Sequence, residues 1–571
     1  MHSEIDFPDI DGGRWRARFA HPHRVLIART LAEVPAVIAQ AEAAARDEHW
    51  VVGFVAYEAA PAFDPALRVK TAQTLLPLAA FAVYGYDEAV GREAQGGFAC
   101  GHWSMATQRE AIDAGIVAIR AAIGNGDYYQ MNYTTQLETE FSGDARALYA
   151  ALCEAQPGGY SAFIDGGDWQ IASVSPELFF DWTPDRILTT RPMKGTAPRD
   201  VAPATLRDSA KERAENLMIV DLLRNDMARV AETGSVEVTR LFDIEPLPTA
   251  WQMTSTVRCK TKPDATLLDV FRALFPCGSV TGAPKVAAMQ AIAELESAPR
   301  GVYCGAIGLI RPNGHATFNV AIRSVAVDAK DGTARCGIGS AITFDSNAND
   351  EYAEWLVKRR FLLRATASFD LLETLRLEAG QYWLLDAHLR RLQHSAEHFG
   401  FVVDPDKLRR ALEHNAGQNP NGIWRVRLLL SRGGGLKLET HALEANPATV
   451  RVTLALVPID SGSETLRHKT SERAIYAPHA PVSSDVFDTL IFNERDELTE
   501  FTRGNVVVEL DGRRVTPPVS CGLLPGVLRA DLLRRGEIVE GIVMRVDLAR
   551  ATRVWFINSV RGELPVQVVG S

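Results

Sequence analysis

The chain has 571 residues, of which 46% are hydrophobic and 23% charged, and its formal net charge is −10 at pH 7. Its length predicts roughly three to four domain-sized units, and its composition is that of a soluble globular protein. The mildly acidic balance argues against a general nucleic-acid partner. The longest apolar run, residues 75–86, contains Pro77 and is too short to cross a bilayer, so we predict no membrane partner.

The cysteines and the first residues indicate a cellular compartment. The seven cysteines are scattered and form no CxxC pair, which predicts reduced thiols and neither a disulfide framework nor a zinc site. The opening MHSEID lacks the basic and apolar regions of a signal peptide. Both observations predict a cytoplasmic protein.

The first two thirds of the chain predict a mixture of strands and helices. Residues 1–100 alternate short apolar runs with Pro and Gly, typical of strands and turns, and carry no chemically specific motif. A long helix is predicted over 205–231, with a capping-box candidate at Ser209. The remaining predicted elements are helices at 108–123, 267–275, 284–296 and 349–365, and strands at 133–137, 303–310, 316–327 and 334–343.

A new pattern begins after residue 365. Residues 369–376 predict a strand, and residues 386–399 predict an amphipathic helix. Neither Pro nor Gly marks the junction, and we place two domains at 1–364 and 365–571. The second domain, of roughly 200 residues, is large enough to have its own core.

Two lysines predict two active sites. Lys194 lies between the strand-like run 187–190 and a glycine turn, and Lys469 lies in the differently built C-terminal third. An amine at a strand end becomes a nucleophile when its surroundings lower its pKa.

Paired carboxylates predict a cation site. Glu212 and Glu215 lie three residues apart on one predicted helix, and Glu351 and Glu354 repeat that spacing on another. Each pair by itself fits a solvated helix surface. Acids beside apolar runs are costly unless neutralised, and Mg²⁺ is the hard cation that one or two carboxylates hold together with a substrate. Lys358 follows on the second helix, facing either an anionic ligand or solvent.

Six runs in order resemble the chorismate-utilising enzymes, which include anthranilate synthase large subunits, isochorismate synthases and aminodeoxychorismate synthase component I. The runs are 127–132 (DYYQMN), 175–177 (SPE), 191–196 (RPMKGT), 215–226 (ENLMIVDLLRND), 282–285 (GAPK) and 345–346 (DS) with Glu354. The resemblance covers roughly residues 100–364. Before the Gly-Thr of the third run, anthranilate synthases typically carry Ala and aminodeoxychorismate synthases carry Lys, and this chain has Lys194.

The resemblance implies an α+β fold with a sandwich of large, mostly antiparallel sheets, and it implies roles for single residues. Lys194 adds at ring C2 of chorismate while the 4-hydroxyl leaves with a proton from Glu177, and ammonia then enters at C4 and expels the lysine. Glu215 and Glu354 match the Mg²⁺ ligands, with Glu212 and Glu351 acting through water. The residues matching substrate contacts are Gly195, Thr196, Tyr303, Arg323, Gly339, Ala341 and Lys358.

One position departs from the family pattern. Gln252, in the run WQMTS, stands where many relatives carry a histidine. A glutamine amide can donate a hydrogen bond but cannot shuttle a proton near neutral pH. Either the histidine's role is dispensable in amination, or Lys194 and Glu177 cover it.

The C-terminal third resembles the fold-type IV pyridoxal phosphate enzymes, a family of amino acid aminotransferases and aminodeoxychorismate lyases with two small α/β lobes. The resemblance covers about 368–571 and rests on Lys469 together with the runs 388–396, 500–506 and 522–529. It implies that Lys469 carries the cofactor and Glu500 faces its ring nitrogen. The helix start at 524–526 offers free N–H groups to the phosphate. The matching phosphate residues are Arg391, Val527, Leu528 and Ser559.

Together the two resemblances imply that chorismate is aminated to 4-amino-4-deoxychorismate, from which pyruvate is then eliminated to give 4-aminobenzoate, the folate precursor. The fusion favours a lyase, because a lyase consumes what the first domain makes. No Gly-x-Cys-x-Gly glutaminase motif is encoded, which predicts a separate glutamine amidotransferase as partner, or free ammonia. The fold-type IV resemblance also implies a homodimer through the C-terminal domain.

Two alternatives remain open at this stage. One is an anthranilate-type synthase fused to a branched-chain or D-amino acid aminotransferase. The other treats the C-terminal third as a docking module for the amidotransferase that binds no pyridoxal phosphate.

Overall fold

The computed structural model describes residues 1–8, 13–71, 75–85, 96–198, 202–246, 250–366, 368–481, 483 and 485–569. The chain forms two compact units, Met1–Thr366 and Ala367–Ser571. Among the helices in these ranges, none combines the length and apolarity that a membrane crossing requires.

One antiparallel sheet of unit 1 contains ten strands within the described residues. Its long central strand Gln130–Gly143 pairs with Thr333–Ile342 over ten residue positions, from Thr333 opposite Glu140 to Ile342 opposite Met131. In spatial order its strands are Gly282–Ala283, Gln130–Gly143, Thr333–Ile342, Ser324–Asp328, Trp169–Ser175, Tyr160–Asp165, His2–Pro8 and Arg14–Phe19, with Phe98–Cys100 and Ser104–Met105 also paired to Gln130–Gly143.

A second antiparallel sheet of unit 1 also has ten strands in the described part of the chain. Its inner strands, such as Ala79–Tyr84, are buried along their whole length, which explains why they contain almost only apolar residues. In spatial order the strands are Met193–Pro198, Ala250–Lys260, Ile187–Arg191, Leu178–Trp182, Ala316–Val320, Ala306–Ile310, Trp50–Val55, Ala79–Tyr84 and Arg24–Ala28, with Glu237–Pro246 also paired to Ala250–Lys260.

The two sheets pack face to face and helices cover their outer faces. One core cluster joins Phe7 and Ile171 of the first sheet to Phe54 and Ile307 of the second. A second cluster lies between the second sheet and its helices, and a third lies between the first sheet and its helices. The helices of unit 1 are Val34–Arg46, Arg109–Asn125, Ala145–Ala155, Pro203–Asp208, Ala210–Ala228, Leu267–Leu274, Lys285–Leu295 and Ala348–Thr366, with 3₁₀ turns at Tyr57–Ala62 and Gly278–Val280.

Unit 2 has two sheets. The smaller one consists, within the described residues, of Gln381–Tyr382, Leu371–Glu378, Ile423–Leu430 and Leu436–Ala442. The larger one runs in the order Leu498–Phe501, Asp488–Phe492, Val450–Leu454, Gly562–Val568, Arg553–Asn558, Gly504–Leu510, Arg513–Thr516 and Val539–Glu540. Leu498–Phe501 also pairs with Gly504–Leu510, so six of these strands form a closed ring. The helices are Leu385–Phe399, Pro405–Gln418 and Val527–Arg534, with 3₁₀ turns at Glu464–Arg467, Ala474–His479, Val519–Cys521 and Arg545–Ala549.

The mixed α and β architecture with large antiparallel sheets confirms the predicted fold class. Two predicted elements are interrupted. The helix predicted over 205–231 is divided at Ser209, whose extended backbone ends one helix and whose hydroxyl accepts a hydrogen bond from the Glu212 N–H to cap the next. The strand predicted over 316–327 is broken between Val320 and Ser324, where Arg323 has a positive φ of 50°.

Candidate active sites

A cavity of about 520 Å³ lies in unit 1, and residues from both sheets and two helices line it. Of the residues singled out in the sequence of this unit, the lining contains Glu177, Lys194, Gly195, Glu212, Glu215, Gln252, Tyr303, Arg323, Gly339, Ala341, Glu351, Glu354 and Lys358. The backbone of Thr196 belongs to the strand Met193–Pro198, but its side chain is outside the described part of the structure. The structure thus brings together residues that are up to about 180 positions apart in the chain.

Lys194 lies at an irregularity in the edge strand Met193–Pro198. Met193 pairs with Thr254 and Thr196 with Gln252, so two residues of this strand face the single residue Met253 of its neighbour. A bulge of this kind changes the direction in which a side chain points, and the side chain of Lys194 lines the cavity. Burial lowers the pKa of Lys194, and the neighbouring carboxylate of Glu215 opposes this shift without cancelling it.

Glu177 is a buried acid in the same cavity. Only 3% of its surface is exposed, and it lies in the short link between the strands Trp169–Ser175 and Leu178–Trp182. The hydroxyl of Ser279 donates to its Oε1 at 2.7 Å. Burial raises the pKa of Glu177 to about 7, although the hydrogen bond from Ser279 acts in the opposite direction. The carboxyl can therefore be protonated near neutral pH and give up its proton.

Four carboxylates from two helices line the cavity. Burial raises the pKa of Glu215 to about 7 and that of Glu212 above its ordinary value. Desolvation also raises the pKa of Glu354, but the ammonium of Lys358, 2.7 Å from its Oε1, outweighs this and keeps the pKa below its ordinary value. Glu351 is buried and accepts hydrogen bonds from Ser340 at 2.5 Å and Ser346 at 2.6 Å.

Cationic and aromatic side chains line the same cavity as the carboxylates. Arg323 makes neither an ion pair nor a side-chain hydrogen bond with the residues that the structure describes, and desolvation lowers its pKa to about 10. Lys358 also donates to the carbonyl of Gly339 at 2.9 Å. The ring of Tyr303 packs on Gly337, where an added Cβ would lie 2.0 Å from the ring, so this glycine is required for close packing. An unpaired buried arginine is suited to bind a carboxylate.

Sequence reasoning missed several residues of this cavity. Ser279 lies three residues before the GAPK motif at 282–285, and this proximity was the available signal. Asn132 ends the quoted run 127–132 and also lines the cavity. Lys211, 3.9 Å from Glu215, and Arg360 also line the cavity. They had no distinguishing signal, because basic residues on helices are common.

In unit 2, Lys469 is half-buried beside the strand Leu371–Glu378. Its carbonyl accepts a hydrogen bond from Leu372 N–H at 2.9 Å, and the next residue, Thr470, bridges to Leu371. These contacts tie the backbone of Lys469 to the smaller sheet. Burial lowers the pKa of Lys469 to about 8, and the guanidinium of Arg391 lowers it as well.

Glu500 lies on the strand Leu498–Phe501 and is 3% exposed. Its Oε1 accepts a hydrogen bond from the Tyr476 hydroxyl at 2.7 Å, and its Oε2 accepts from the N–H of Leu524 at 3.1 Å and from Asn505 at 3.2 Å. Burial raises the pKa of Glu500 to about 8 despite these hydrogen bonds. The positive charge of Lys469 also lowers the pKa of Glu500, and the carboxylate of Glu500 raises that of Lys469.

The helix Val527–Arg534 begins at Gly526 without a side-chain cap, and its first residues, Val527 and Leu528, are buried. Its first N–H groups therefore remain available to an anion. A Cβ at Gly526 would lie 1.9 Å from Asn505 Oδ1, so this helix start has no space for a larger residue. Ser559 is also buried and follows the strand Arg553–Asn558.

Arg391 has protein partners in this structure. Its Nε and Nη2 bind the two oxygens of Glu373 at 2.8 and 2.6 Å, and its Nη1 donates to the carbonyl of Pro525 at 3.3 Å. His388 Nδ1 lies 2.6 Å from the same carboxylate. Desolvation raises the pKa of Glu373, but Arg391 and His388 bring it down to about 2. Sequence reasoning missed Glu373, because a single acid in a strand carries no signal.

The comparisons with known proteins agree with this division. The sequence profile of chorismate binding enzymes matches residues 12–364, and the profile of amino-transferase class IV matches residues 370–569. Aminodeoxychorismate synthase component 1 of Salmonella typhimurium is 41% identical over 243 residues, which are 41% of this chain and 53% of that protein. The Escherichia coli protein of the same name is 38% identical over 269 residues, which are 46% of this chain and 59% of that protein.

This chain thus spans between half and two thirds of the length of those two relatives. Among solved structures, anthranilate synthase component I from Streptococcus pneumoniae superposes with a TM-score of 0.51 at 25% identity, over 63% of this chain and 89% of that one. Residues 12–364, which the profile of chorismate binding enzymes matches, are more than half of the chain. The protein therefore belongs to the chorismate binding enzyme family.

Proposed function

We propose that the protein makes 4-aminobenzoate from chorismate in two steps. Residues 1–364 aminate chorismate to 4-amino-4-deoxychorismate, and residues 365–571 remove pyruvate from that product. The observation that carries the proposal is the pairing of Lys194, whose pKa is lowered, with the acid Glu177, whose pKa is about 7, in one cavity. The names of the relatives support the first step, and the profile match of residues 370–569 supports the second.

In the first step that we propose, Lys194 is the nucleophile and Glu177 is the acid. The lone pair of Lys194 Nζ forms a bond to ring C2, the ring double bonds shift, and the C4–O bond breaks. Glu177 gives its proton to the departing hydroxyl, which leaves as water. Ammonia then bonds to C4 and loses a proton, which restores the acid form of Glu177, while the double bonds shift back and Lys194 leaves with the electron pair of its C–N bond. The net change replaces the 4-hydroxyl by an amino group.

The carboxylates of this cavity fit a magnesium ion. Among the described residues, no three Asp, Glu, His or Cys side chains converge as a complete metal site. Mg²⁺ takes one or two carboxylates and completes its shell with substrate, and four carboxylates line this cavity. We propose Glu215 and Glu354 as those ligands, with Glu212 and Glu351 acting through water. When bound, Mg²⁺ would neutralise the chorismate ring carboxylate. Arg323, Tyr303 and Lys358 would hold the substrate's carboxylates, beside the backbone of Gly195, Thr196, Gly339 and Ala341.

The pH profile of amination should reveal Glu177. Because its pKa is raised to about 7, the protonated acid is present below that pH and is lost above it. We therefore expect the rate with ammonia as donor, corrected for free NH₃, to fall as the pH rises through 7. In Glu177→Gln this falling limb should disappear and the rate should drop about 100-fold or more.

Ser279→Ala provides the directional control for this profile. The hydroxyl of Ser279 lowers the pKa of Glu177, so its removal should move the falling limb to higher pH. Identical pH profiles in the wild type and both variants would remove Glu177 as the acid.

The residues of unit 2 fit pyridoxal phosphate. A buried acid with its proton retained, Glu500, suits the ring nitrogen, and the uncapped helix start at Gly526 suits the phosphate. We propose Ser559, Val527, Leu528 and Arg391 as further phosphate contacts.

The second step would use the cofactor and Lys469 together. When bound, the cofactor would supply an electron sink. Lys469 would remove the proton from C4 of the aminated ring, the bond from C3 to the enolpyruvyl oxygen would break, and pyruvate would leave as the ring becomes aromatic.

Gly526→Ala should weaken cofactor binding. The new Cβ would collide with Asn505 Oδ1, so the start of the helix must shift away from the position that we assign to the phosphate. We expect the dissociation constant of pyridoxal phosphate, measured by equilibrium dialysis, to rise about 10-fold or more, since each 1.4 kcal/mol lost is tenfold. Gly417→Ala is the matched control, because a Cβ there meets nothing within 4 Å. Equal affinities in the two variants would remove the phosphate from this helix start.

The partners are proposals of the same kind. The amination needs ammonia, and the relatives are named as component 1 of a synthase, so we propose a separate glutamine amidotransferase as its source. We also propose a homodimer through residues 365–571 and a cytoplasmic location.

The product made from chorismate decides between this proposal and an anthranilate-type synthase fused to an aminotransferase. Incubation with chorismate, Mg²⁺ and ammonia should give a 4-amino product, whereas anthranilate would reject the proposal.

The pKa shifts of Lys469 and Glu500 argue against a docking module that binds no cofactor. Burial shifts the pKa of both groups, and such a module does not require two ionisable groups with shifted pKa values.

A further inference from the structure

The bulge that carries Lys194 leaves backbone groups outside the regular ladder. Between the pairs Met193–Thr254 and Thr196–Gln252, one strand advances by three residues and the other by two. Gly195 takes up the difference with a φ of +89°, a conformation that favours glycine. A bulge displaces carbonyl and N–H groups from their usual partners, and a buried carbonyl without a partner is costly.

Gln252 supplies a partner for the displaced carbonyl. Its Nε2 donates to the carbonyl oxygen of Gly195 at 2.7 Å, a short and well-formed hydrogen bond. The side chain is 6% exposed and lines the same cavity as Lys194. Gln252 also pairs through its backbone with Thr196, so it spans the bulge from the neighbouring strand.

The backbone on the other side of Lys194 is also tied to the site. The N–H of Met193 hydrogen-bonds the carboxyl of Glu177. The backbone is therefore fastened at the residue before Lys194 by the acid and at the residue after it by Gln252. Between these two fixed points lies Lys194, whose side chain lines the cavity.

We propose that Gln252 is a positioning residue for Lys194: its amide holds the Gly195 carbonyl and thereby keeps the bulge that aims the lysine amine at the substrate. The inference rests on the proposed function of Lys194 as nucleophile and concerns a residue with no part in proton transfer. This role explains why glutamine can stand where many relatives carry histidine: position 252 needs a side chain that donates a hydrogen bond. An imidazole N–H could donate the same bond, so glutamine and histidine are interchangeable in this role.

The test compares three variants. Gln252→Met keeps the length of the side chain and removes the donor, and Gln252→His restores a donor. Gln136→Met is the matched control, since Gln136 Nε2 also donates to a backbone carbonyl, that of Pro299 at 2.6 Å, and lies outside the lining of the cavity. The readouts are kcat and KM for chorismate with ammonia, the dissociation constant of chorismate, and the rate at which a Lys194–substrate adduct forms without ammonia, measured by intact-protein mass spectrometry.

In Gln252→Met we expect kcat and the rate of adduct formation to fall together by about 10- to 100-fold, because a misplacement of about 1 Å can cost a hundredfold in rate. KM and the dissociation constant of chorismate should change less than kcat, since the side chains of Arg323, Tyr303 and Lys358 are unchanged and only the backbone contacts at Gly195 and Thr196 shift. Gln252→His should recover most of the lost rate, and Gln136→Met should match the wild type.

Two results would overturn the inference: a Gln252→Met protein as fast as Gln136→Met, or a Gln252→His protein as slow as Gln252→Met. The identity of the wild-type product judges the proposed function separately. Anthranilate in place of a 4-amino product would reject that function. The ratio of variant to wild-type kcat, measured for whichever product forms, would still test the positioning role of Gln252.

Discussion

Replacing Lys194 by alanine should abolish amination of chorismate. The methyl group cannot bond to ring C2, and the 4-hydroxyl is too poor a leaving group for direct displacement, so we expect the 4-amino product to fall by about a thousandfold or more. Unit 2 has its own core, and the site that we propose for pyruvate release lies within it, so release of pyruvate from supplied 4-amino-4-deoxychorismate should remain at the wild-type rate. Chromatography of the two products in parallel assays measures both quantities.

Lys330→Ala is the control for this experiment, because Lys330 is an exposed lysine of the same unit that pairs with Asp168. It should leave both rates unchanged. Amination by Lys194→Ala at the wild-type rate would show that no covalent lysine step takes place. A parallel loss of pyruvate release would show that the substitution damages more than the cavity of unit 1.

Replacing Lys469 by alanine should stop the second step and leave the first intact. The alanine can neither carry the cofactor nor remove the ring proton, and we expect release of pyruvate to fall about a thousandfold or more. 4-Amino-4-deoxychorismate should then accumulate from chorismate. The visible absorbance band of lysine-bound pyridoxal phosphate should be present in the wild type and absent in the variant.

The matched control in unit 2 is Lys437→Ala, since Lys437 is exposed and pairs only with Glu439 among the described residues. This protein should keep both the absorbance band and pyruvate release. A wild-type protein that stays colourless after addition of the cofactor would favour a docking module. An unchanged rate in Lys469→Ala would assign the proton transfer to another base.

The sequence was sufficient for the long, regular elements of the fold. Periodic apolar residues predicted the helix near 349–365, which the structure places at Ala348–Thr366, and the strand near 334–343, which it places at Thr333–Ile342. The apolar pattern continues through both interruptions and does not mark them, although the capping-box candidate at Ser209 is a local signal for a helix start there. At Ser209 a local side-chain cap prevails over helix propensity, and at Arg323 a positive φ breaks the strand.

The motifs identified which residues to consider, and the structure shows how they are arranged. Lys194 and Glu177 stand in quoted runs, but their shared cavity depends on two sheets that bring distant segments together. The bulge at Gly195, the Ser279–Glu177 hydrogen bond and the Arg391–Glu373 ion pair are contacts across tertiary structure. No spacing within a single segment can encode such contacts, which is why sequence reasoning missed Ser279 and Glu373.

The most direct test of the whole account is a mixing experiment with the two lysine variants. Lys194→Ala and Lys469→Ala should each fail to convert chorismate, Mg²⁺ and ammonia to 4-aminobenzoate, whereas their mixture should form 4-aminobenzoate and pyruvate in equal amounts, because each protein keeps one intact site. A mixture that yields anthranilate, or that accumulates 4-amino-4-deoxychorismate without pyruvate, would contradict the claim that two lysines act in succession on one substrate.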